Sequence, residues 1–132
     1  MHHSPILIVE DEAIIGMALS AAVQQAGGEV VGPASTVKAA LNLLQTRPIS
    51  GAILDVNLAD GVVTPLVERL RERGIPLIIQ TAYRYPAELA ALFPDLIVKT
   101  KPNFSQPLVG ELFALIASCR SSKPPLPRAA NR

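Results

Sequence analysis

The sequence predicts a single α/β domain in which helices cover both faces of a parallel β-sheet. Short apolar runs rich in Ile, Val and Leu alternate along the chain with longer segments of helical periodicity. This alternation is typical of parallel sheets, whose buried strands are apolar throughout. The chain has 132 residues, of which 49% are hydrophobic, and can therefore bury one core. We expect this domain to span residues 1–120 and to be followed by a disordered, proline-rich basic tail over residues 121–132.

Five apolar runs have the length of β-strands and are bounded by turn-forming or charged residues. They are residues 6–9, 30–31 with their neighbours, 52–54, 77–79 and 96–98. Each run is too short for a core helix, which normally needs about ten residues or more. The sequence therefore predicts a sheet of five strands.

Four segments carry apolar residues at the i, i+3, i+4 spacing that forms one face of an α-helix. They are residues 15–23, 37–44, 63–70 and 108 to about 120. Gly74 is expected to close the third of these helices. A further helix, fourth along the chain, is predicted between Tyr85 and Pro94, because Pro86 can start a helix and Pro94 would end it. We expect this fourth helix to be short, irregular or mobile.

The composition argues against several classes of function. A formal net charge of +1, with both signs spread along the chain, leaves no basic stripe for nucleic acid. No run approaches the roughly 20 apolar residues of a membrane-spanning helix, and no secretory signal opens the sequence. Cys119 is the single cysteine, which excludes an internal disulfide and a Cys-rich zinc site. We expect a cytoplasmic protein that binds neither nucleic acid nor membrane.

Polar residues stand where four of the predicted strands end. Glu10 and Asp11 follow the first strand, Asp55 ends the third, Thr81 ends the fourth, and Lys101 follows the fifth. In an open parallel sheet, ligands bind beyond the carboxyl ends of the strands, where the strand order changes direction. We therefore expect these side chains to surround one site.

The residue types at these strand ends indicate a chemistry. Carboxylates without a neighbouring histidine or cysteine form an oxygen-only site, which suits Mg²⁺. With the metal in place, the Asp55 carboxylate can act as a nucleophile toward phosphorus and form an acyl phosphate. The metal and Lys101 would stabilise the charge on the transferring oxygens, and the Thr81 hydroxyl would bond to one of them in the product.

Each residue also has a simpler explanation. Glu10, Asp11 and Glu12 could favour the positive end of the first helix. Lys101 could be an ordinary surface lysine, and Thr81 an ordinary hydroxyl at a strand end. The combination at four strand ends favours a common site, whereas for Glu12 we retain the helix dipole as the explanation.

Four motifs resemble those of the receiver domains of bacterial response regulators, and the resemblance covers roughly residues 5–120. They are the acidic segment 6–12, the phosphoacceptor segment 52–61, the threonine segment 79–82, and Lys101-Pro102, a lysine with its usual cis-proline partner. The resemblance implies a flavodoxin-like, doubly wound sheet in the order 2-1-3-4-5, with five helices and with Asp55 as the phosphorylation site.

The resemblance also implies a role for further residues. Asp11 and Asp55 would bind Mg²⁺ directly, the backbone carbonyl of Asn57 would complete the protein ligands, and Glu10 would act through water. The sequence departs from the family at Val98, three residues before Lys101, where many receivers carry a Tyr or Phe that moves inward on phosphorylation.

Residues 76–83 resemble, with several substitutions, the motif of the stand-alone receivers nicknamed FAT GUY, which also lack that aromatic residue. Tyr83 could therefore take over the switch role together with Thr81. We hypothesise that Tyr83 and the short fourth helix change their exposure on phosphorylation. A simpler possibility is that Tyr83 packs on the surface as an ordinary strand-end aromatic residue.

By this resemblance, the chain would be a single-domain response regulator and not a turnover enzyme. Its donor would be a sensor histidine kinase or a histidine phosphotransfer protein. With no output domain after residue 120, it would act on an unidentified downstream protein or serve as a phosphate sink, as a monomer or weak homodimer. Two alternatives remain open: a small phosphatase of the haloacid dehalogenase type, which Asp55-Val-Asn57 faintly resembles, and an interaction module that works without phosphorylation.

Overall fold

The computed structural model describes residues 4–58, 60–81, 86–101 and 105–122. Its strands are β1 (Pro5–Val9), β2 (Glu29–Ala34), β3 (Gly51–Asp55), β4 (Asn57–Leu58), β5 (Gly61–Val62), β6 (Leu77–Thr81) and β7 (Ile97–Thr100). Five of them form a parallel sheet in the order β2-β1-β3-β6-β7. Counted along the chain within this sheet, that is the predicted order 2-1-3-4-5, so the predicted fold is confirmed.

Four helices lie where the apolar periodicity predicts them, and the fourth along the chain lies between the two prolines that were expected to bound it. They are α1 (Ala13–Gln25), α2 (Val37–Thr46), α3 (Thr64–Glu72), α4 (Ala87–Leu92) and α5 (Ser105–Ser122). The α4 helix has only six residues, as expected for a segment that begins after Pro86. Within the described ranges, no helix combines the length and the apolar composition needed to span a membrane.

Two details differ from the sequence-based expectation. The strands β4 and β5 form a separate antiparallel hairpin that was not predicted, because two-residue strands carry no recognisable periodicity. In addition, α5 continues to Ser122 and includes the first two residues of the expected tail. Residues 123–132 lie outside the described residues, so disorder in that segment stays a prediction.

The sheet separates two apolar cores, because successive side chains of a strand point to opposite faces. One face packs against α2, α3 and α4, and the other packs against α1 and α5. In β3, Ala52 and Leu54 belong to the first core and Ile53 to the second. By the same alternation, Asp55 follows Ile53 on the α1 and α5 side, at the carboxyl end of the strand.

The N-terminus of α2 provides a test of the local structure. Thr36 is the N-cap residue of this helix, and its Oγ1 accepts a hydrogen bond of 3.0 Å from the amide of Ala39. We predict that Thr36→Ala lowers the free energy of unfolding by about 1 kcal/mol, because one amide of the first turn loses its partner. Urea denaturation followed by circular dichroism measures the difference.

Thr46→Ala is the matched control for this prediction. The Thr46 hydroxyl lies at the other end of α2 and donates to the carbonyl of Asn42 at 3.0 Å, within the helix itself. This substitution should change the free energy of unfolding little, because alanine has a higher helix propensity than threonine. An equal loss in both variants would contradict the assigned cap.

Candidate functional site

The carboxyl edge of the sheet brings together the predicted site residues that the structure describes. Two backbone hydrogen bonds fix the segments that carry them: the Glu10 amide donates to the Ala34 carbonyl at 2.9 Å, and the Lys101 amide donates to the Thr81 carbonyl at 2.7 Å. Val9 is the register partner of Leu54, which places Glu10 beside Asp55 on neighbouring strands.

Three carboxylates come together in this site. Glu10, Asp11 and Asp55 each offer one oxygen, and these oxygens all lie within 4.8 Å of one another. Glu10 is 4% exposed and Asp55 is 7% exposed, whereas Asp11 is exposed to solvent. The cluster consists of oxygen donors alone, and such a donor set fits a hard divalent cation.

Lys101 inserts its ammonium group into this cluster. Its Nζ lies 3.0 Å from Glu10 Oε2 and 3.3 Å from Asp55 Oδ2, and its side chain is only 10% exposed. The alternative of an ordinary surface lysine is therefore wrong. This ammonium offsets part of the negative charge that the carboxylates bring together.

The charges of the cluster shift two pKa values. Burial, reinforced by the Asp55 charge, raises the pKa of Glu10 even though the Lys101 ammonium and the Glu12 amide act in the opposite direction. Burial alone would lower the pKa of Lys101. Its hydrogen bond to Glu10 and the negative charges of Asp55 and Glu10 have the opposite effect, and together they raise the pKa of Lys101. Lys101 therefore remains a cation at neutral pH.

Glu12 lies at the N-terminus of α1, as the helix-dipole explanation requires, and its side chain also approaches the carboxylate cluster. As the N-cap residue, it makes no side-chain hydrogen bond to the helix. Its Oε1 instead lies 3.5 Å from Lys101 Nζ, while its amide donates to Glu10 Oε2 at 3.3 Å. Because the Glu12 side chain is 63% exposed, its ion pair with Lys101 is screened by water.

Two buried polar residues at the carboxyl end of β6 each have an oxygen atom without a hydrogen-bond partner among the described residues. Thr81 is 2% exposed, and its Oγ1 has no hydrogen-bond partner among the described residues. Gln80, the register partner of Asp55, is 3% exposed, and its Oε1 has no such partner either. A buried hydroxyl normally has a partner, so Thr81 is suited to a ligand oxygen. Gln80 was not among the predicted site residues, although a polar residue at the end of an apolar strand is a signal that could have identified it.

Some predicted residues cannot be placed in this geometry. Tyr83 and Pro102 lie outside the described residues, so the proposed switch tyrosine and the cis-proline stay predictions. Asn57 begins β4, two residues after Asp55, but only its backbone is described. Val98 is half-buried in β7 and packs against the core on the α2 and α3 side.

The chain is similar to known regulators in sequence and in structure. Residues 6–95 match the response regulator receiver domain family. The phyllosphere-induced regulator PhyR of Methylorubrum extorquens is 38% identical over 81 residues, which are 59% of this chain and 30% of that protein. The chain thus spans less than a third of this curated relative.

Solved structures extend the similarity to most of the chain. SdrG from Sphingomonas melonis Fr1 is 35% identical with a TM-score of 0.72, covering 87% of this chain and 97% of SdrG. The BeF3-activated conformation of SdrG from Pseudomonas melonis Fr1 gives a TM-score of 0.68 over 87% and 98% of the two chains. The anti-anti-sigma factor PhyR from Bartonella quintana is 27% identical with a TM-score of 0.69, covering 93% of this chain and 51% of PhyR.

The family match covers more than half of the sequence, and the SdrG similarity extends over nearly the whole of that protein. The sheet order of this chain, and the carboxylates at the carboxyl edge of its sheet, are those that the resemblance to this family implies. The chain therefore belongs to the receiver domains of response regulators, the signalling modules of two-component systems.

Proposed function

We propose that this receiver accepts a phosphoryl group on Asp55, with Mg²⁺, in the cytoplasm. The observation that carries the proposal is the convergence of carboxylate oxygens from Glu10, Asp11 and Asp55 within 4.8 Å of one another, beside an ammonium 3.3 Å from Asp55 Oδ2. This arrangement supports Asp55 as a nucleophile whose neighbours offset negative charge.

In the proposed reaction, the residues of the site divide metal binding and nucleophilic attack among them, and Asp55 takes part in both. Bound Mg²⁺ would neutralise the carboxylates and bind oxygens of the transferring group. Asp11, Asp55 and the Asn57 carbonyl would hold the ion directly, and Glu10 would hold it through water. An Asp55 oxygen attacks phosphorus as the bond from phosphorus to the donor nitrogen breaks, which leaves an acyl phosphate on Asp55.

Lys101 and Thr81 would then bind the transferred group. Lys101 lies within 3.3 Å of the Asp55 carboxylate and can pair with a phosphoryl oxygen after a small movement of its ammonium. The Thr81 hydroxyl, buried and without a partner among the described residues, can donate to another phosphoryl oxygen. The Lys101 contact would begin while the phosphoryl group is being transferred, and the Thr81 contact would form once Asp55 carries it.

The exposed face of α1 is the surface that we propose for the phosphoryl donor. Ile14 and Met17 are 83% and 70% exposed, and the helix from Ala13 to Gln25 contains no charged residue. The helix starts two residues after Asp11, which is the exposed carboxylate of the cluster. A sensor histidine kinase or a histidine phosphotransfer protein could cover this face of α1 while presenting its phosphohistidine to Asp55.

The downstream role is proposed from the relatives. PhyR from Bartonella quintana is an anti-anti-sigma factor, so we propose that this receiver also takes part in the control of an anti-sigma factor. It would do so by binding a downstream protein or by competing with a PhyR-type regulator for phosphoryl groups.

Labelling by a small phosphodonor tests the proposal. We predict that acetyl phosphate or phosphoramidate adds one phosphoryl group per chain in the presence of Mg²⁺, and that Asp55→Ala abolishes the addition because the nucleophile is lost. Intact-protein mass spectrometry measures it. Asp95→Asn, which removes an exposed carboxylate paired with Arg71, is the matched control and should be labelled like the wild type. Absence of labelling would favour a phosphorylation-independent interaction module, and sustained hydrolysis of a phosphate ester would favour the phosphatase alternative.

Lys101→Met should change two properties in opposite directions. We predict labelling slower by roughly 100-fold, since one stabilising cation is lost from the transferring oxygens. Mg²⁺ should bind more tightly, because Lys101 and the metal compete for the Glu10 and Asp55 carboxylates. Labelling kinetics and titration calorimetry measure the two effects.

Lys99→Met is the control for this pair of effects. Lys99 lies on the same strand but pairs with Glu111 on α5, at 3.0 Å, away from the carboxylate cluster. The Lys99→Met substitution should leave both the labelling rate and the Mg²⁺ affinity close to the wild-type values. Weaker Mg²⁺ binding in Lys101→Met would contradict the proposed competition.

Mg²⁺ should also stabilise the fold. We predict that Mg²⁺ at ten times its dissociation constant raises the free energy of unfolding by about 1.4 kcal/mol, because it binds the folded state alone. Asp11→Asn should reduce this gain by removing an exposed ligand from the cluster without disturbing the core. Urea denaturation with and without Mg²⁺ measures the gain; an equal gain in both proteins would show that Asp11 is not a ligand.

A further inference from the structure

The short hairpin formed by β4 and β5 follows Asp55 directly and depends on its surroundings for its shape. Its base is held by apolar side chains, since Val56 and Val63 are fully buried and Leu58 is 8% exposed. The Val63 amide also donates to the Val56 carbonyl at 3.3 Å. Each strand has two residues, and so short a pair is marginally stable by itself. The position of the hairpin tip must therefore depend on a contact with another element.

Asp60, near the tip, supplies that contact. Its Oδ1 accepts a hydrogen bond of 2.8 Å from the amide of Val37, and its Oδ2 accepts one of 3.1 Å from the amide of Lys38. Both amides belong to the first turn of α2, where a negative charge is favourable. These two hydrogen bonds lower the pKa of Asp60, so the carboxylate is ionised at neutral pH. Gly61 then turns the chain with a φ of +135°, a backbone conformation that favours glycine.

This contact lies close in sequence to a proposed metal ligand. Asn57, whose backbone carbonyl is proposed to complete the ligands, begins β4 between Asp55 and Asp60. A side-chain rotation cannot reorient a backbone carbonyl. The orientation of the Asn57 carbonyl is therefore set by the path of the backbone in this segment. The segment from Asn57 to Asp60 is attached to β3 at one end and to α2 at the other.

We propose that Asp60 is a positioning residue for the metal site: by binding the amides at the start of α2, it holds the hairpin so that the Asn57 carbonyl faces the ion. The inference rests on the proposed function, because it names the residue that orders one side of the same site. Residues that orient metal ligands typically change metal affinity by about 10- to 100-fold when they are replaced.

Calorimetric titration of the unphosphorylated full chain with Mg²⁺ tests this role. Asp60→Ala should weaken Mg²⁺ binding by roughly 10-fold. Asp60→Asn should lie between this variant and the wild type, since its amide oxygen can accept one of the two hydrogen bonds. Thr36→Ala is the matched control, because it removes the other side-chain cap from the same helix end and leaves the hairpin in place. It should bind Mg²⁺ like the wild type.

The Mg²⁺ dependence of acetyl phosphate labelling provides a second readout. Asp60→Ala should be labelled slowly at limiting Mg²⁺ and should recover as the Mg²⁺ concentration rises, whereas a loss at all concentrations would overturn the positioning role. Equal Mg²⁺ affinity of Asp60→Ala and Thr36→Ala would also overturn it, since Asp60 would then be only a helix cap. If Asp60→Ala does not fold, Asp60→Asn decides between these outcomes. Failure of the wild type to bind Mg²⁺ or to be labelled would instead refute the proposed function.

Discussion

The contact of the Lys101 ammonium with Glu10 and Asp55 is the interaction on which the site depends. Glu10 and Asp55 are 4% and 7% exposed, and their carboxylates place oxygens within 4.8 Å of one another. At an effective dielectric constant of about 20, two like charges at that distance repel by about 3.5 kcal/mol. One lysine offsets part of this repulsion, but Asp11 and Glu12 add further negative charge around it. Because carboxylates outnumber the lysine, the site keeps an excess of negative charge, which suits a divalent cation.

The fold supports this charged cluster with two rigid apolar cores. Leu7, Ile8, Ile53 and Ile78 are at most 1% exposed, and burying each such side chain contributes about 1.5–3 kcal/mol. Among the described residues, the buried polar side chains are concentrated at the carboxyl edge of the sheet, while one lies just before β1. Those at the carboxyl edge are Glu10, Asp55, Gln80 and Thr81. Burying polar groups is energetically unfavourable unless they have hydrogen-bond partners. Here most of the buried polar side chains lie where a bound ligand can supply such partners.

Several elements connect the site to the surface, and one of them departs from the common receiver pattern. Val98 occupies the position of the usual aromatic switch and packs into the core on the α2 and α3 side. Asp60 links the segment after Asp55 to the start of α2, over more than twenty residues of sequence. The exposed apolar face with Ile14 and Met17 belongs to α1, which starts two residues after Asp11. The surfaces around Asp55 therefore lie on α1 and α2 as well as on the carboxyl ends of the strands.

Local patterns in the sequence determined the fold class and most of the site. Apolar periodicity reports which face of a helix or strand is buried, and polar residues at strand ends identify the edge where Asp55 and Lys101 lie. The tertiary structure alone decided the contacts between distant segments. Glu12 contacts Lys101 across 89 positions, and Asp60 binds the start of α2 from 22 and 23 positions away. Such contacts leave no periodic signal, because they depend on how the connecting loops bring two chain segments together.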